Sequence, residues 1–241
     1  MGNEYFLFEK DPDKRIGWIT FNKPEKLNMI GREGEMTMAA PLLRQIERDD
    51  DVKVLIVRGA GDCFGAGGDV MLLGPDTVGF SRDPKAPRPT LRKSLPMERS
   101  MMIEGSDQRW GSIVPFRNFC KPCIGQVHSY CYGYHFMVAA HCDVVIASED
   151  ALFVHPAFRY ISESWPAPDW MAQMGYKNFA EMMLSGRAFT AEEMKQCGFV
   201  NRVVPRDKLE EETLEIASVI ALQPLELLMA DKHFLETIRD L

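Results

Sequence analysis

The sequence contains no long hydrophobic run. No stretch of about 18 apolar residues, the length that spans a bilayer as a helix, occurs among its 241 residues. The N-terminal segment, MGNEYFLFEKDPDK, also lacks the basic and then apolar layout of a secretory signal. These absences predict a protein without a membrane span and, by default, a cytoplasmic localisation.

An excess of basic residues is missing as well. The 28 lysines and arginines are outnumbered by 35 aspartates and glutamates, which gives a net charge of −7. A protein whose main partner is nucleic acid is expected to carry the opposite balance, so we predict no nucleic-acid partner. Apolar residues at 46% and charged residues at 26% are typical of an ordinary globular domain with a buried core.

A disulfide framework is not expected either, because the chain is large, carries six cysteines and shows no secretory signal. Cys120 and Cys123 form a C-x-x-C pattern, which can indicate a redox pair or half of a metal site. No second C-x-x-C and no matching histidine pair accompanies it. We therefore predict two small residues that flank a buried strand, and no metal site.

What is present is an alternation of strand and helix patterns. Short apolar runs bounded by turn residues predict strands near residues 5–8, 16–21, 53–57, 123–127, 143–147 and 200–204. Helices are predicted over residues 33–48, from about 133, and over two C-terminal segments that meet near Pro224. Pro41 is expected to disturb the first helix, and Thr190 and Glu193 form a capping box. This order predicts β-α-β units in a sheet that helices cover.

One segment is unlike the rest. Residues 74–96 contain five prolines and cannot form a continuous helix, and residues 82–93 carry five basic side chains against one acid, Asp83. A loop of this length inside a compact domain is usually functional or disordered. The sequence leaves open whether this loop is a solvated segment or a lid over a phosphorylated ligand.

Five segments form an ordered set of motifs along nearly the whole chain. They are NKPEKLN at residues 22–28, CFGAGGDV at 63–70, KPCIGQV at 121–127 with the following Gly133 and Cys142-Asp143, SGRAFTAEE at 185–193, and GFVNRVV at 198–204. Each motif is weak alone. Together, in this order and at these spacings, they resemble the crotonase (enoyl-CoA hydratase/isomerase) superfamily.

The resemblance implies an α/β fold in which ββα units wind into a spiral, followed by a helical C-terminal region. On this basis we expect a spiral core over residues 1–185 and a trimerisation region over residues 186–241. The resemblance also implies a homotrimer or a dimer of trimers, in which the helix that holds Lys232 packs across a subunit boundary.

The shared step of this family is the stabilisation of an enolate-like thioester oxygen by two backbone N–H donors. The loss of one such donor typically costs roughly 3–4 kcal/mol. By position, the resemblance assigns the first donor to Ala66, in a loop whose glycines let a ligand approach closely. The second donor, usually a glycine, falls on Tyr134 at the positive end of a helix.

The two glutamates that serve a standard hydratase as general acid and base are absent. Their positions are taken by Met137 and Ala157, which cannot move a proton. The groups nearby that can move a proton or attack are His135, His155, Glu163 and Asp169. The alternatives that the sequence leaves open are a structural role for each histidine and a solvated position for each acid.

The resemblance also implies a coenzyme A (CoA) thioester as the substrate. The residues expected to line it are Lys26, Leu27, Ala66, Gly67, Gly68, Asp69, Val70 and Lys232. No P-loop and no G-x-G-x-x-G motif occurs, so no permanently bound nucleotide cofactor is predicted. The leading hypothesis is an acyl-CoA isomerase, C–C hydrolase or other lyase. The alternative is a catalytically inactive homologue that acts in binding or assembly.

Overall fold

The computed structural model describes residues 5–30, 35–68, 114–156 and 167–239. Their strands are β1 Phe6–Asp11, β2 Ile16–Phe21, β3 Val54–Gly59, β4 Cys123–Val127, β5 Tyr130–Tyr132, β6 Val144–Ser148, β7 Leu152–Val154, β8 Phe189–Thr190 and β9 Arg202–Val204. The helices are α1 Glu35–Glu47, α2 Val114–Arg117, α3 Tyr134–His141, α4 Ala167–Met174, α5 Tyr176–Ser185, α6 Ala191–Gln196, α7 Leu209–Ala221 and α8 Leu225–Arg239. Short 3₁₀ turns are found at Pro24–Lys26 and Arg206–Lys208.

The larger sheet has the strand order β1-β2-β3-β4-β6-β9. β1 and β2 form an antiparallel hairpin, and the other neighbours are parallel. Leu55 and Val57 of β3 face the main core. Val54 and Ile56 face the opposite side, where α7 packs through Leu209. Because both faces are buried, the central strands consist of nearly unbroken apolar runs.

The smaller sheet has the strand order β5-β7-β8. Its strand β5 lies beside the segment that follows β3. Gly65 forms an isolated bridge with Cys131 of β5. The N–H of Gly65 donates to the carbonyl of Tyr130 at 2.7 Å, and its carbonyl accepts the N–H of Tyr132 at 2.9 Å. The glycine-rich loop that leaves β3 is therefore fixed alongside β5, just before the start of α3.

These elements confirm the predicted α/β architecture with a helical C-terminal region. The bounds of β2 and β4 are those that the sequence patterns predict. Helix α1 lies within the predicted residues 33–48, and Pro41 lies inside it without ending it. Leu42, Leu43 and Ile46 of this helix are buried in the main core. Their packing stabilises the helix in spite of the backbone hydrogen bond that proline removes.

All six cysteines are free thiols, as predicted. Cys123 begins β4, and Cys120 precedes it in the turn that leads into the strand. The Sγ atom of Cys123 lies 3.6 Å from that of Cys142, which caps the end of α3. The C-x-x-C pattern therefore flanks a buried strand.

The chain beyond residue 185 begins with the predicted capping box. The hydroxyl of Thr190 accepts the N–H of Glu193 at 3.2 Å, and the Glu193 carboxylate accepts the N–H of Thr190 at 2.8 Å. Helix α6 therefore starts where the sequence predicts it. β8 pairs with β7 and β9 pairs with β6, so this region adds a strand to both sheets. The division into residues 1–185 and 186–241 stays a prediction.

Helices α7 and α8 end the described chain and meet at a sharp bend. Among the described residues, no single helix has the length and apolar character needed to cross a membrane. The segments Arg206–Ala221 and Leu225–Arg239 reach that length and apolar character only when they are taken together, and the chain bends by 106° between them. Large exposed apolar side chains lie on this helix pair and in the turn between its helices, at Val219, Leu222, Leu227, Phe234, Leu235 and Ile238.

Candidate active site

The loop that follows β3 is held close to the start of α3. Gly67 has a φ of 93°, a left-handed conformation that favours glycine. A Cβ atom at this position would lie 2.9 Å from the carbonyl oxygen of Tyr132 and 3.4 Å from the Cα of Gly133. Phe64, which is fully buried, anchors the loop in the core. The two segments predicted to carry the oxyanion donors therefore meet, and glycine is required between them.

The N–H of Ala66 has a partner within the protein. It donates to the carbonyl of Leu27 at 2.9 Å. Leu27 closes the 3₁₀ turn Pro24–Lys26 with a φ of 51°, and both Lys26 and Leu27 are exposed. The two segments expected to line the CoA thioester therefore lie together. The first predicted oxyanion donor, however, is already engaged by a backbone carbonyl.

Asn28 fixes this turn, a role that the sequence motifs do not predict. It is buried and has a φ of 55°. Its side-chain oxygen accepts the N–H of Lys23 at 2.9 Å, and its amide group donates to the carbonyls of Ala60 and Cys63 at 3.0 and 2.9 Å. Asn28 therefore ties the turn to the glycine-rich loop. An asparagine at the end of a turn is the available signal, because asparagine tolerates the left-handed conformation.

Tyr134 begins α3, directly after the N-cap residue Gly133. The N–H of Gly133 donates to the carbonyl of Val154 at 2.9 Å, which fixes the start of the helix. The N–H groups of a first helical turn lack intrahelical acceptors and carry the positive end of the helix dipole. The Tyr134 side chain packs into the main core, with its ring 6.4 Å from that of Phe21. The residue therefore presents its backbone, rather than its ring, at the junction of loop and helix.

His135 lies between the glycine-rich loop and the main core. Its ring is fully buried, and its Nδ1 accepts the N–H of Gly67 at 3.1 Å. Burial lowers the pKa of His135 to about 3, so the imidazole is neutral near pH 7. The part predicted for His135 in acid–base chemistry or nucleophilic attack stays a prediction.

His155 lies beside the start of α3. It follows β7, is 4% exposed, and its ring lies 5.0 Å from the ring of Trp170. Burial lowers the pKa of His155 to about 4, and the backbone of Gly133 acts in the opposite direction. A neutral imidazole is therefore placed next to the residue that precedes Tyr134. Its part in proton transfer stays a prediction.

The first turn of α3 contains no acidic residue. Met137 occupies the position expected for the first glutamate, is 6% exposed, and packs in the main core. Asp169 lies in the first turn of α4 and pairs with Arg117 of α2 at 3.3 Å. Both side chains of this ion pair are largely buried, and a chemical role for Asp169 stays a prediction. Ala157 and Glu163 lie outside the described residues.

The sequence matches two models of one protein family over most of its length. Residues 16–82 match one model and residues 99–240 match the other, and both are described as enoyl-CoA hydratase/isomerase. The chain belongs to the enoyl-CoA hydratase/isomerase family. This confirms the resemblance that the ordered motifs indicate.

Individual members of the enoyl-CoA hydratase/isomerase family are similar over most of the chain. Mevalonyl-coenzyme A hydratase sidH from Aspergillus fumigatus is 30% identical over 216 residues, which cover 87% of this chain and 70% of that protein. Hydroxycinnamoyl-CoA hydratase-lyase from Pseudomonas fluorescens is 26% identical over 234 residues, which cover 94% and 76%. These matches confirm the coarse prediction of an acyl-CoA-processing enzyme of this family.

A solved structure from the same family has the same fold. It is described as a probable enoyl-CoA hydratase from Mycobacterium thermoresistibile, and it superimposes with a TM-score of 0.81 at 30% identity. The superposition covers 99% of this chain and 87% of that one. The predicted crotonase-like fold is therefore confirmed.

The structure describes some of the segments that are expected to line CoA. Gly68 forms an isolated bridge with Ile30, so the glycine-rich loop continues beside the segment that follows Leu27. Asp69, Val70 and the basic loop at residues 74–96 lie outside the described residues. The roles predicted for these residues therefore stay predictions.

Lys232 lies on α8 and contacts other residues of its own chain. It is 4% exposed, its Nζ donates to the carbonyl of Lys121 at 2.8 Å, and it pairs with Asp143 at 3.0 Å. The Asp143 carboxylate also accepts the N–H of Cys123 at 2.7 Å. The ammonium group therefore links α8 to the strand ends of its own chain. The contact of Lys232 with CoA that the resemblance implies stays a prediction.

Proposed function

We propose that the chain processes an acyl-CoA thioester through an enolate-like oxyanion, as an isomerase, a C–C hydrolase or another lyase rather than as a standard hydratase. The observation that carries this proposal is Met137, which is buried on α3 where a hydratase is expected to hold its first glutamate. A thioether cannot act as a general acid or base. The second expected glutamate is replaced by Ala157. Hydration by two carboxylates is therefore disfavoured.

The proposed oxyanion site is the junction of the glycine-rich loop and α3. Ala66 and Tyr134 contribute backbone N–H groups on either side of the close approach between Gly67 and Gly133. Preorganised donors stabilise a developing oxyanion with little rearrangement. In the proposed reaction, the thioester oxygen replaces the Leu27 carbonyl as the acceptor of the Ala66 N–H. Charge-assisted hydrogen bonds are about twice as strong as neutral ones, so the exchange becomes more favourable as negative charge develops.

The group that moves the proton in this proposal is His155. Its neutral imidazole lies beside Gly133, and a neutral imidazole can accept a proton. Asp169, which is held by Arg117, and Glu163 are the alternative groups. Similarity to a hydroxycinnamoyl-CoA hydratase-lyase supports the lyase class.

The CoA part of the substrate is proposed to run along the exposed turn and the glycine-rich loop, at Lys26, Leu27, Ala66, Gly67 and Gly68. CoA enters and leaves as part of the thioester, and no cofactor is permanently bound in this proposal. The basic loop at residues 74–96 and the neighbouring Asp69 and Val70 are proposed to contact the same ligand.

We propose a homotrimer or a dimer of trimers in the cytoplasm, without nucleic-acid or membrane partners. Phe234, Leu235 and Ile238 of α8 are each more than half exposed. Exposed apolar side chains that cluster on one element are typical of interfaces between protein chains. They support a role for this helix in assembly.

A second candidate is a catalytically inactive homologue that acts in binding or assembly. The hydrogen bond between the Ala66 N–H and the Leu27 carbonyl favours it, because the first oxyanion donor is satisfied without substrate. The close approach of Gly67 and Gly133 opposes it, because a pure binding protein does not require two donor segments in contact.

Incubation with a panel of enoyl-, β-keto- and aroyl-CoA thioesters tests these proposals. Turnover of at least one thioester, followed by product analysis, is expected, and His155→Gln should then lower the rate. Tight binding of a thioester without turnover would support the inactive homologue. The absence of both turnover and thioester binding would overturn the proposed function.

A further inference from the structure

The imidazole of His135 fills a closed space between the glycine-rich loop and the main core. Its ring makes edge-to-face contacts with Phe21, Phe64 and Tyr134, at centroid distances of 4.5, 5.9 and 5.5 Å. A Cβ atom on Gly65 would collide with the same ring. Packing against these three rings and Gly65 therefore fixes the orientation of the imidazole.

The direction of the hydrogen bond between Gly67 and His135 is also fixed. A backbone N–H can only donate, so Nδ1 of His135 is the acceptor and carries no proton. The proton of the neutral ring then lies on Nε2, which has no hydrogen-bond partner among the residues that the structure describes. Leaving a buried donor unpaired costs free energy. Burial of the ring therefore costs free energy at Nε2, while Nδ1 is satisfied by the Gly67 N–H.

The Gly67 N–H belongs to the peptide group that follows Ala66. The carbonyl of Gly67 is held by the N–H of Ile30 at 2.9 Å, and Gly65 is held by Tyr130 and Tyr132 of β5. With the bond from Gly67 to His135, the backbone is anchored on both sides of Ala66. The Gly65–Ala66 peptide, which carries the Ala66 N–H, is held by Tyr132, and the next peptide is held by His135, so a side chain of α3 fixes one of the two peptides that flank Ala66.

We infer that His135 is a positioning residue, which holds the Ala66–Gly67 peptide through Nδ1 so that the Ala66 N–H points at the oxyanion. The inference rests on the proposed function for its catalytic meaning, but the contact itself exists in the protein without substrate. Helix α3 then contributes to the oxyanion site in two ways. Its first N–H belongs to Tyr134, and its second residue orients the opposite donor.

Variants that differ only in the acceptor test the inference. In His135→Asn, the side-chain oxygen occupies a place close to that of Nδ1, whereas His135→Phe and the smaller His135→Leu fill the space without an acceptor. The matched control is His141→Leu, because His141 is equally buried on the same helix and has no hydrogen-bond partner on either ring nitrogen among the described residues. Thermal unfolding identifies any variant that fails to fold.

Amide hydrogen exchange resolved at Gly67, without substrate, is the first measurement. Exchange should become about fivefold faster in His135→Phe and His135→Leu, the factor expected for one lost neutral hydrogen bond. His135→Asn and His141→Leu should exchange like the parent protein. Unchanged exchange at Gly67 in the folded apolar variants would overturn the inference, whatever the protein turns out to catalyse.

Steady-state kinetics on a thioester that the parent protein turns over is the second measurement. The apolar variants should lose at least about tenfold in kcat with little change in KM, because a misdirected donor weakens the transition state more than the bound ground state. His135→Asn should restore most of kcat. Equal kcat in all four variants would overturn the positioning role. Failure of the parent protein on every thioester would count against the proposed function, while exchange at Gly67 would still decide the role of His135.

Discussion

The N–H of Ala66 donates to the carbonyl of Leu27 at 2.9 Å. In the free protein, a backbone carbonyl of the CoA-lining turn therefore stands where the thioester oxygen is proposed to bind. Leu27 holds this position in a left-handed conformation, and Asn28 continues it. Non-glycine residues in this conformation each cost about 1 kcal/mol or more, so the turn stores strain that the side-chain bonds of Asn28 offset.

An acyl-CoA thioester should change the environment of the Ala66 amide, because its oxygen replaces the Leu27 carbonyl as the acceptor. The expected result is a shift of the Ala66 amide resonance on titration with a thioester that is not turned over. Free CoA, which is proposed to contact the same loop but has no thioester carbonyl, is the control and should shift this resonance clearly less. An equal shift with both ligands would contradict the exchange of acceptors.

Met137→Glu should destabilise the fold by about 2 kcal/mol or more at pH 8, because it buries a carboxylate in the apolar core. Burial raises the pKa of such a glutamate above its unfolded value. The penalty is therefore smallest at low pH and grows as the pH rises towards the folded-state pKa. Urea unfolding at pH 5 and pH 8 measures it.

The matched control for this substitution is Met137→Gln, which has the same shape as the glutamate without its charge. Its stability relative to the parent protein should be the same at both pH values. Equal stability of the Glu and Gln variants at pH 8 would mean that the position is more solvated than its 6% exposure indicates.

The free energy of unfolding should fall as the pH is lowered from about 6.5 towards 4. Burial lowers the pKa of His135 and of His141 to about 3, and that of His155 to about 4. These values lie below the unfolded value, so the unfolded state binds more protons in this range and is favoured. Each histidine contributes up to about 1.4 kcal/mol per pH unit. Denaturant unfolding across this range measures the slope.

His141→Leu provides the check on this assignment. It removes one titrating group and should reduce the slope by about 1.4 kcal/mol per pH unit, one histidine's share. A slope that the substitution leaves intact would assign the acid sensitivity to the carboxylates instead.

Lys232→Met should lower the free energy of unfolding by at least about 1 kcal/mol, because it leaves the Lys121 carbonyl without its donor and the partly exposed Asp143 carboxylate without its partner. Affinity for CoA should change little, since Nζ is engaged within its own chain. Unfolding by denaturant and CoA binding by calorimetry measure the two effects. Lys208→Met is the control, because its ion pair with Glu211 is exposed and should contribute little. A large loss of CoA affinity in Lys232→Met with normal stability would indicate that Lys232 contacts the CoA phosphates.

The fold could be predicted from the sequence where local patterns and tertiary packing agree. The bounds of β2 and β4 and the capping box of Thr190 and Glu193 are such cases. Pro41 is a case in which they differ, because proline disfavours a helix interior while the buried Leu43 and Ile46 stabilise the predicted helix. Local rules cannot weigh a backbone defect against contacts that the rest of the chain supplies.

The candidate site is predictable in its segments but not in its contacts. The motifs place Ala66 and Tyr134 together, and the structure brings the two segments into contact through Gly67 and Gly133. The carbonyl of Leu27 carries no signal in the sequence, because every residue has one. The motifs also cannot show that Nδ1 of His135 faces the loop, because tertiary packing sets the orientation of this ring.

The contact between Gly65 and the ring of His135 links two distant positions of the sequence. Both compete for one volume, since a Cβ atom on residue 65 would occupy the space of the imidazole. The two positions are therefore epistatic, and the effect of a substitution at one depends on the residue at the other. A mutational library that varies residue 65 alone, with His135 in place, will find it intolerant. Paired variation, with a small residue at 135 and a side chain at 65, gives access to loop sequences that single substitutions cannot reach.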